Sequence, residues 1–203
     1  MKKLPGLFLL LFLLSMSSAF AQTTDSRSEM NRLLSKNLKY PTELRQSDTQ
    51  GTVVISIEVD ARGIMTGEYE LLSGDLAFQE EIERNVKLLK ENWNPSYLIG
   101  KSHGQEYLMS FEFKLSKGGA FPPNPLLTSS QKTKEISPLE AVSLALVENP
   151  YSPKLYTNRA ELLENEGQQL RAEMDLNQAE FLKDKMLTEI VIVGYVAQGP
   201  KSL

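Results

Sequence analysis

Residues 26–115 change their hydrophobic period several times. The first apolar stripe has the three-to-four-residue spacing of a helix and consists of Met30, Leu33, Leu34 and Leu38. Pro41 biases the residue before it toward an extended backbone, so we expect this helix to end near Tyr40. Beyond Gly51 apolar residues occupy every second position, which predicts a half-buried strand. These apolar positions are Val53, Ile55, Ile57 and Val59.

A hairpin and a second helix are predicted next. Asp60-Ala61-Arg62-Gly63 is typical of a turn, and residues 64–72 are expected to form the returning strand. From Leu76 the period returns to that of a helix, with acidic and basic residues opposite one apolar face. That face contains Phe78, Ile82, Val86, Leu89 and Trp93. Asn94-Pro95 is expected to end this helix.

A last strand is predicted after Gly100 and Gly104. One of its faces carries Tyr107, Met109, Phe111, Phe113 and Leu115, and polar residues alternate with them. The complete unit is therefore predicted to be an αββαβ domain of the α+β class. Its sheet is expected to be three-stranded and antiparallel, with helices packed against it.

Residues 1–21 have the three parts of a secretory signal peptide. Lys2 and Lys3 precede an apolar run over residues 7–14, and Ser18-Ala19-Phe20-Ala21 forms an Ala-x-Ala exit. We expect cleavage after Ala21 and delivery to the periplasm. The alternative is an uncleaved inner-membrane anchor, although serines interrupt the apolar run before it reaches the roughly 20 residues of a spanning helix.

Charge and composition exclude several classes of function. The chain carries 22 basic and 26 acidic residues, for a formal charge of -4, and loss of Lys2 and Lys3 removes two further positive charges. Such a surface has no electrostatic footprint for nucleic acid. The chain lacks cysteine and has a single histidine, His103, in a predicted turn. We therefore predict no catalytic residue, no metal, no cofactor and no small-molecule substrate.

Several motifs of this first unit occur in the order and approximate spacing of a known family. They are Tyr40-Pro41, Gly51-Thr52-Val53, Asp60-x-x-Gly63, Trp93-x-Pro95 and Gly100-Lys101, followed by the aromatic last strand. Together they resemble the C-terminal domain of TonB proteins, over about ninety residues.

The resemblance implies a protein-binding module and no enzymatic activity. TonB proteins pair their last strand with an extended "TonB box" of an outer-membrane transporter, which is strand addition. The implied partner-binding residues on that strand are Gln105, Glu106, Tyr107, Leu108, Met109, Ser110 and Phe111. The family also contacts its partner through Gln-Pro-Gln just before the Tyr-Pro pair. Here that position reads Asn37, Leu38 and Lys39 ahead of Tyr40, so the amide of Asn37 remains but the proline is absent.

The chain departs from the family in the segment that would connect the domain to the inner membrane. A TonB protein needs an inner-membrane anchor and a long proline-rich linker, whereas only Thr23–Glu29 separates the predicted exit site from the first helix. If Ala21 is the cleavage site, no tether to a motor remains. We therefore expect a periplasmic adaptor linked to nutrient uptake. A true energy transducer with an uncleaved anchor is the alternative.

A linker over residues 116–136 and a helical segment over residues 137–187 follow. In the helical segment apolar and small residues have the spacing of a tetratricopeptide repeat. They are Tyr156, Ala160, Leu163, Gly167, Ala172, Leu176 and Ala179. An ordinary helical hairpin is the simpler interpretation. A repeat-type structural scaffold with no role in transport is the second functional alternative.

Residues 188–203 are predicted to form an extended tail, because consecutive β-branched residues favour a strand. The strand would contain Ile190, Val191, Ile192, Val193, Gly194 and Tyr195. The segment is similar to the one that contains the TonB box in starch-utilisation-type transporters of Bacteroidetes. One hypothesis is that the tail adds to the strand of residues 105–115, either within the molecule or between two copies in a homodimer. The other is an ordinary terminal strand.

Overall fold

A computed structural model of the protein describes residues 26–116 and 136–195. The predicted signal peptide and most of the predicted linker lie outside these residues. Residues 26–37 are helical (α1), and the predicted hairpin, helix and last strand are all present. The further elements of the first described stretch are α2 (Thr42–Gln46), β1 (Gly51–Val59), β2 (Met65–Ser73), α3 (Gln79–Glu91) and β3 (Gln105–Ser116).

The second described stretch contains helices and then a strand. Its elements are α4 (Pro138–Glu148), α5 (Pro153–Asn165), α6 (Gln169–Lys185) and β4 (Met186–Tyr195). The strand therefore begins at Met186, inside the range 137–187 that the sequence assigned to helices. That boundary was wrong by two residues, because α6 ends at Lys185 and the chain enters β4 without a loop.

The sheet has four strands in the order β2-β1-β3-β4. β1 pairs antiparallel with both β2 and β3, whereas β3 and β4 are parallel. The prediction of a three-stranded antiparallel sheet was therefore wrong. Parallel neighbours need a long crossover, and α4, α5 and α6 supply it between β3 and β4. The tail adds to the strand of residues 105–115 within the molecule, which is one of the arrangements that the sequence left open for this segment.

The main core lies between one face of the sheet and the stripes of α1 and α3. Ile82, Val86 and Leu89 of α3 are buried there, as their spacing predicted. Trp93 is partly buried against the same core, and its indole Nε1 donates a hydrogen bond of 2.8 Å to the carbonyl of Gly63. The tryptophan thereby connects the end of α3 to the β1–β2 turn.

β1 is more deeply buried than its alternating pattern predicted. Val53, Ile55 and Ile57 face the main core, but Val54 and Ser56 on the opposite face are also buried. A half-buried strand was therefore the wrong expectation. β1 is therefore buried on both faces over Val53–Ile57, as β3 is over Tyr107–Phe111.

The helical segment has a small core of its own, which consists of Ala160, Leu163 and Ala172 with Leu139 packed against it. The small alanine side chains let α5 and α6 approach closely. Arg159 of α5 makes two hydrogen bonds of 2.7 Å to the carboxylate of Asp175 on α6, which fixes the two helices in register. Within the described residues, no helix is both long and apolar enough to cross a membrane.

Candidate partner-binding edge

The outer edge of β3, where the resemblance implied partner binding, is paired with β4 from Leu108 to Ser116. The opposite edge of β3 pairs with β1, so this part of the strand has neighbours on both sides. Leu108, Met109, Ser110 and Phe111, which the resemblance implied to bind a partner, therefore have a strand on both sides. Gln105, Glu106 and Tyr107 precede the β4 register.

β4 presents alternate side chains to the core and to the exterior. In the register of the two strands Met109 lies opposite Thr188, Phe111 opposite Ile190, Phe113 opposite Ile192 and Leu115 opposite Gly194. Residues directly opposite in a sheet share a face, so these β4 residues lie on the core face. Ile190 and Ile192 are buried in the main core, whereas Val191, Val193 and Tyr195 are about half or more exposed. Burial contributes about 1.5–3 kcal/mol for each isoleucine as an upper estimate.

Tyr40 lies at the end of this edge, inside an aromatic cluster. Its ring meets Phe78 and Phe113 edge-on, with centroid distances of 6.1 and 5.6 Å. Its hydroxyl donates a hydrogen bond of 2.5 Å to the carbonyl of Thr49. Burial, together with the nearby charge of Asp48, raises the pKa of Tyr40, so the phenol stays protonated and remains a donor. The resemblance implied four partner-binding residues here, namely Asn37, Leu38, Lys39 and Tyr40. Of these, Tyr40 lies beside β4, next to Gly194.

The other three residues, Asn37, Leu38 and Lys39, are tied to their own helix and to α3. The amide nitrogen of Asn37 donates a hydrogen bond of 2.8 Å to the carbonyl of Leu33, so this donor is committed within α1. The backbone N–H of Lys39 donates to Glu81 of α3 at 2.6 Å. Leu38 is buried, and Lys39 is exposed. The structure therefore does not bring this tripeptide to the β3–β4 pair.

The beginning of β3 is joined to the end of α6 by two lysines. The ammonium of Lys185 donates a hydrogen bond of 2.6 Å to the side-chain oxygen of Gln105, and that of Lys101 donates to the carbonyl of Asp184. Burial lowers the pKa of Lys101, whose ammonium lies 5.5 Å from the ring centroid of Tyr107. These contacts hold the point at which the chain passes from α6 into β4.

Glu106 faces a like charge and is exposed. It lies opposite Glu58 in the β1–β3 register, outside the part of β3 that pairs with β4. Two carboxylates directly opposite each other on a sheet are mutually unfavourable. This pair of carboxylates therefore weakens the β1–β3 pairing at the beginning of β3.

Sequence reasoning did not identify Thr188 as a contact residue. Its hydroxyl, which is buried, donates to the side-chain oxygen of Asn31 on α1 at 2.6 Å. A threonine in a β-branched run is an ordinary strand residue, so the sequence carried no signal for this hydrogen bond. It connects β4 to the first helix as well as to the sheet.

A protein-family model matches the first unit of the chain. Residues 36–115 match the model described as Gram-negative bacterial TonB protein C-terminal. No curated protein and no solved structure matches the chain. The matched range ends within β3, so β4 and the three preceding helices lie beyond it. In the described part of the chain, no group of three or more histidine and carboxylate side chains is arranged to hold a metal ion.

Proposed function

We propose that residues 36–115, which match the model of TonB protein C-terminal domains, bind an extended segment of an outer-membrane transporter by strand addition to β3. Members of this family are envelope-associated protein-interaction domains and not enzymes. The proposed role is that of a periplasmic adaptor that supports nutrient uptake.

The observation that carries this proposal is the parallel pairing of β3 with β4 from Leu108 to Ser116. It demonstrates that this side of β3 can accept an extended strand whose alternate side chains enter the core. A transporter segment with the same alternation would occupy the place of β4. The backbone would supply most of the affinity, since each hydrogen bond of such a ladder contributes about 0.5–1.5 kcal/mol net.

In this proposal β4 is a tethered competitor of the partner. A segment joined to its own binding site acts at an effective concentration on the order of millimolar. The apparent affinity for a free partner therefore falls in proportion to the fraction of molecules whose β3 edge is open. A second copy of the chain could donate its β4 by the same exchange, which would give a homodimer.

The proposal places the mature protein in the periplasm after cleavage at Ala21. N-terminal sequencing of the exported protein tests this directly. A mature chain that begins at Gln22 supports the adaptor. An intact Met1 supports the alternative of an energy transducer with a retained inner-membrane anchor.

Strand exchange is tested with a labelled peptide of residues 188–195, Thr-Glu-Ile-Val-Ile-Val-Gly-Tyr. We expect weak binding to the full chain and at least tenfold tighter binding to a chain that lacks residues 188–203. A full-length Ile190→Thr/Ile192→Thr variant, whose tail docks less well, should bind with intermediate affinity if the shortened chain is unstable. The matched control is a peptide with aspartate in place of both isoleucines.

Equal affinities of these three proteins for the peptide would contradict exchange at β3. The identity of the natural partner needs a second measurement, for which the mature protein is used to capture proteins from envelope extracts. Recovery of outer-membrane transporters supports the proposal. Recovery of inner-membrane motor proteins supports the transducer, and recovery of neither contradicts both.

We also propose that α5 and α6 form a tetratricopeptide-like hairpin. Ala160 and Ala172 pack at its centre, and Gly167 makes its turn with a positive φ of 75°. Exposed apolar side chains of α4 and α6 favour a scaffold role for the helical segment, namely Leu144, Val147, Leu170, Met174 and Phe181. Capture of the same partners by a Met174→Lys/Phe181→Lys variant would contradict that role.

A further inference from the structure

We propose that Tyr40 makes the β3 edge selective for strands that carry glycine opposite Leu115. This inference rests on the proposed function, because it assumes that a partner strand binds β3 at the position that β4 occupies. It extends that function because it specifies which extended segments fit.

The close approach of Gly194 to the ring of Tyr40 is the basis of this selectivity. A Cβ atom built on Gly194 would lie 2.7 Å from Cδ2 and 2.9 Å from Cγ of Tyr40. It would also lie 3.0 Å from Cδ2 of Leu115, the residue opposite it in β3. Carbon atoms in contact are normally about 3.5–4.0 Å apart, so a side chain at this position would displace the ring.

Tyr40 cannot easily move aside. Its hydroxyl is fixed by the hydrogen bond to Thr49, and its ring packs edge-on against the stacked rings of Phe78 and Phe113. Rotation of the ring about its own axis would shift Cδ2 but would leave Cγ, which lies on that axis, in place. The clash at 2.9 Å would therefore persist in every orientation of the ring.

The requirement for glycine is one of space and not of backbone conformation. Gly194 is absent from the glycines with positive φ, so other residues could adopt its backbone angles. At a left-handed position any side chain would be unfavourable whatever surrounded it. Here the penalty should disappear when the ring is removed, and this distinguishes the two causes.

The remaining positions of β4 complete the pattern that the edge accepts. Ile190 and Ile192 enter the core four and two residues before the glycine, respectively, whereas Val191, Val193 and Tyr195 are exposed. The partner segment is therefore an extended peptide of the form apolar-x-apolar-x-glycine. The intervening positions and the residue after the glycine are unrestricted by contacts with the core.

A size-complementation experiment tests this selectivity. Peptides of residues 188–195 with glycine or alanine at position 194 are titrated against the chain that lacks residues 188–203, and against the same chain with Tyr40→Ala. We expect the unmodified edge to prefer the glycine peptide by about tenfold or more, since overpacking is costly. Tyr40→Ala should bring the two affinities together. Tyr40→Phe is the matched control and should keep the preference because it keeps the ring.

A measurement on the full chain does not depend on any free peptide. Gly194→Ala should speed hydrogen exchange of the β3 amides that face β4 by about tenfold, and adding Tyr40→Ala should reverse part of that increase. Val193→Ala, at an exposed neighbouring position, is the control and should have little effect. The inference is overturned if Gly194→Ala leaves exchange unchanged, or if the alanine penalty is the same with and without the Tyr40 ring. Failure of every peptide to bind would instead contradict the proposed function, while the exchange measurement still tests the fit of Tyr40 and Gly194.

Discussion

The two neighbours of β3 differ in how firmly they belong to the sheet. β1 pairs antiparallel with β3 along the whole length of β1, and the centre of β1 is buried on both faces. β4 pairs parallel, begins only at Leu108 of β3, and leaves alternate side chains exposed. β1 is therefore an interior strand of the sheet, and β4 is an edge strand.

The difference indicates which hydrogen-bonded pairing can be exchanged. Removal of β1 would expose both faces of the sheet and leave β2 without a partner. Undocking of β4 would expose Ile190 and Ile192 but would leave the pairing of β1 with β2 and with β3 intact. Regions that open at low cost in free energy are those with fewer buried apolar contacts, and β4 fits that description better than β1.

The largest effect is expected from Ile57→Ala in β1. Ile57 is fully buried at the centre of the sheet, and truncation of such a side chain costs about 2–5 kcal/mol. We expect the free energy of unfolding in urea to fall by that amount in one cooperative transition. Val191→Ala, at an exposed position of β4, is the control and should change it by less than about 0.5 kcal/mol. A loss in the range of this control would mean that β1 is not the centre of stability.

A smaller and more local effect is expected from Ile192→Ala in β4. This side chain is 9% exposed at the edge of the core, so we expect a cost of about 1–3 kcal/mol. The cost should appear mainly as faster hydrogen exchange of the β3 amides that face β4, with slow exchange preserved between β1 and β2. If all strands lose protection together, β4 is not separable from the sheet and strand exchange becomes unfavourable.

The sequence was sufficient for the elements whose side-chain period is regular over several turns or alternations. The stripe that contains Ile82, Val86 and Leu89 predicted α3 and its buried face, because a helix displays its packing in its own spacing. The β-branched run of the tail likewise predicted a strand where β4 is found. These features are local, so no knowledge of the rest of the chain was needed.

The direction and register of β4 could not be predicted in this way. They depend on the combined length and packing of α4, α5 and α6, which determine where the chain returns to the sheet. The contact between Tyr40 and Gly194 depends in turn on that register, since a shift of one residue would move Gly194 to the other face. The sequence suggested Tyr40 as a partner-binding residue by resemblance, but its role as a limit on side-chain size is visible only in three dimensions.

The smallest effect is expected from Thr188→Val, which removes the hydroxyl that bonds to Asn31 while nearly preserving side-chain shape. Loss of one hydrogen bond that leaves a partly buried acceptor costs about 1 kcal/mol. We expect this loss in the docking of β4, measured as a roughly fivefold increase in hydrogen exchange of the facing β3 amides, together with a fall of no more than about 1 kcal/mol in the free energy of unfolding in urea. Thr188→Ser keeps the hydroxyl and should retain most of the protection. If serine and valine increase exchange equally, the hydrogen bond to α1 does not hold β4, and the strand is held by its isoleucines and backbone alone.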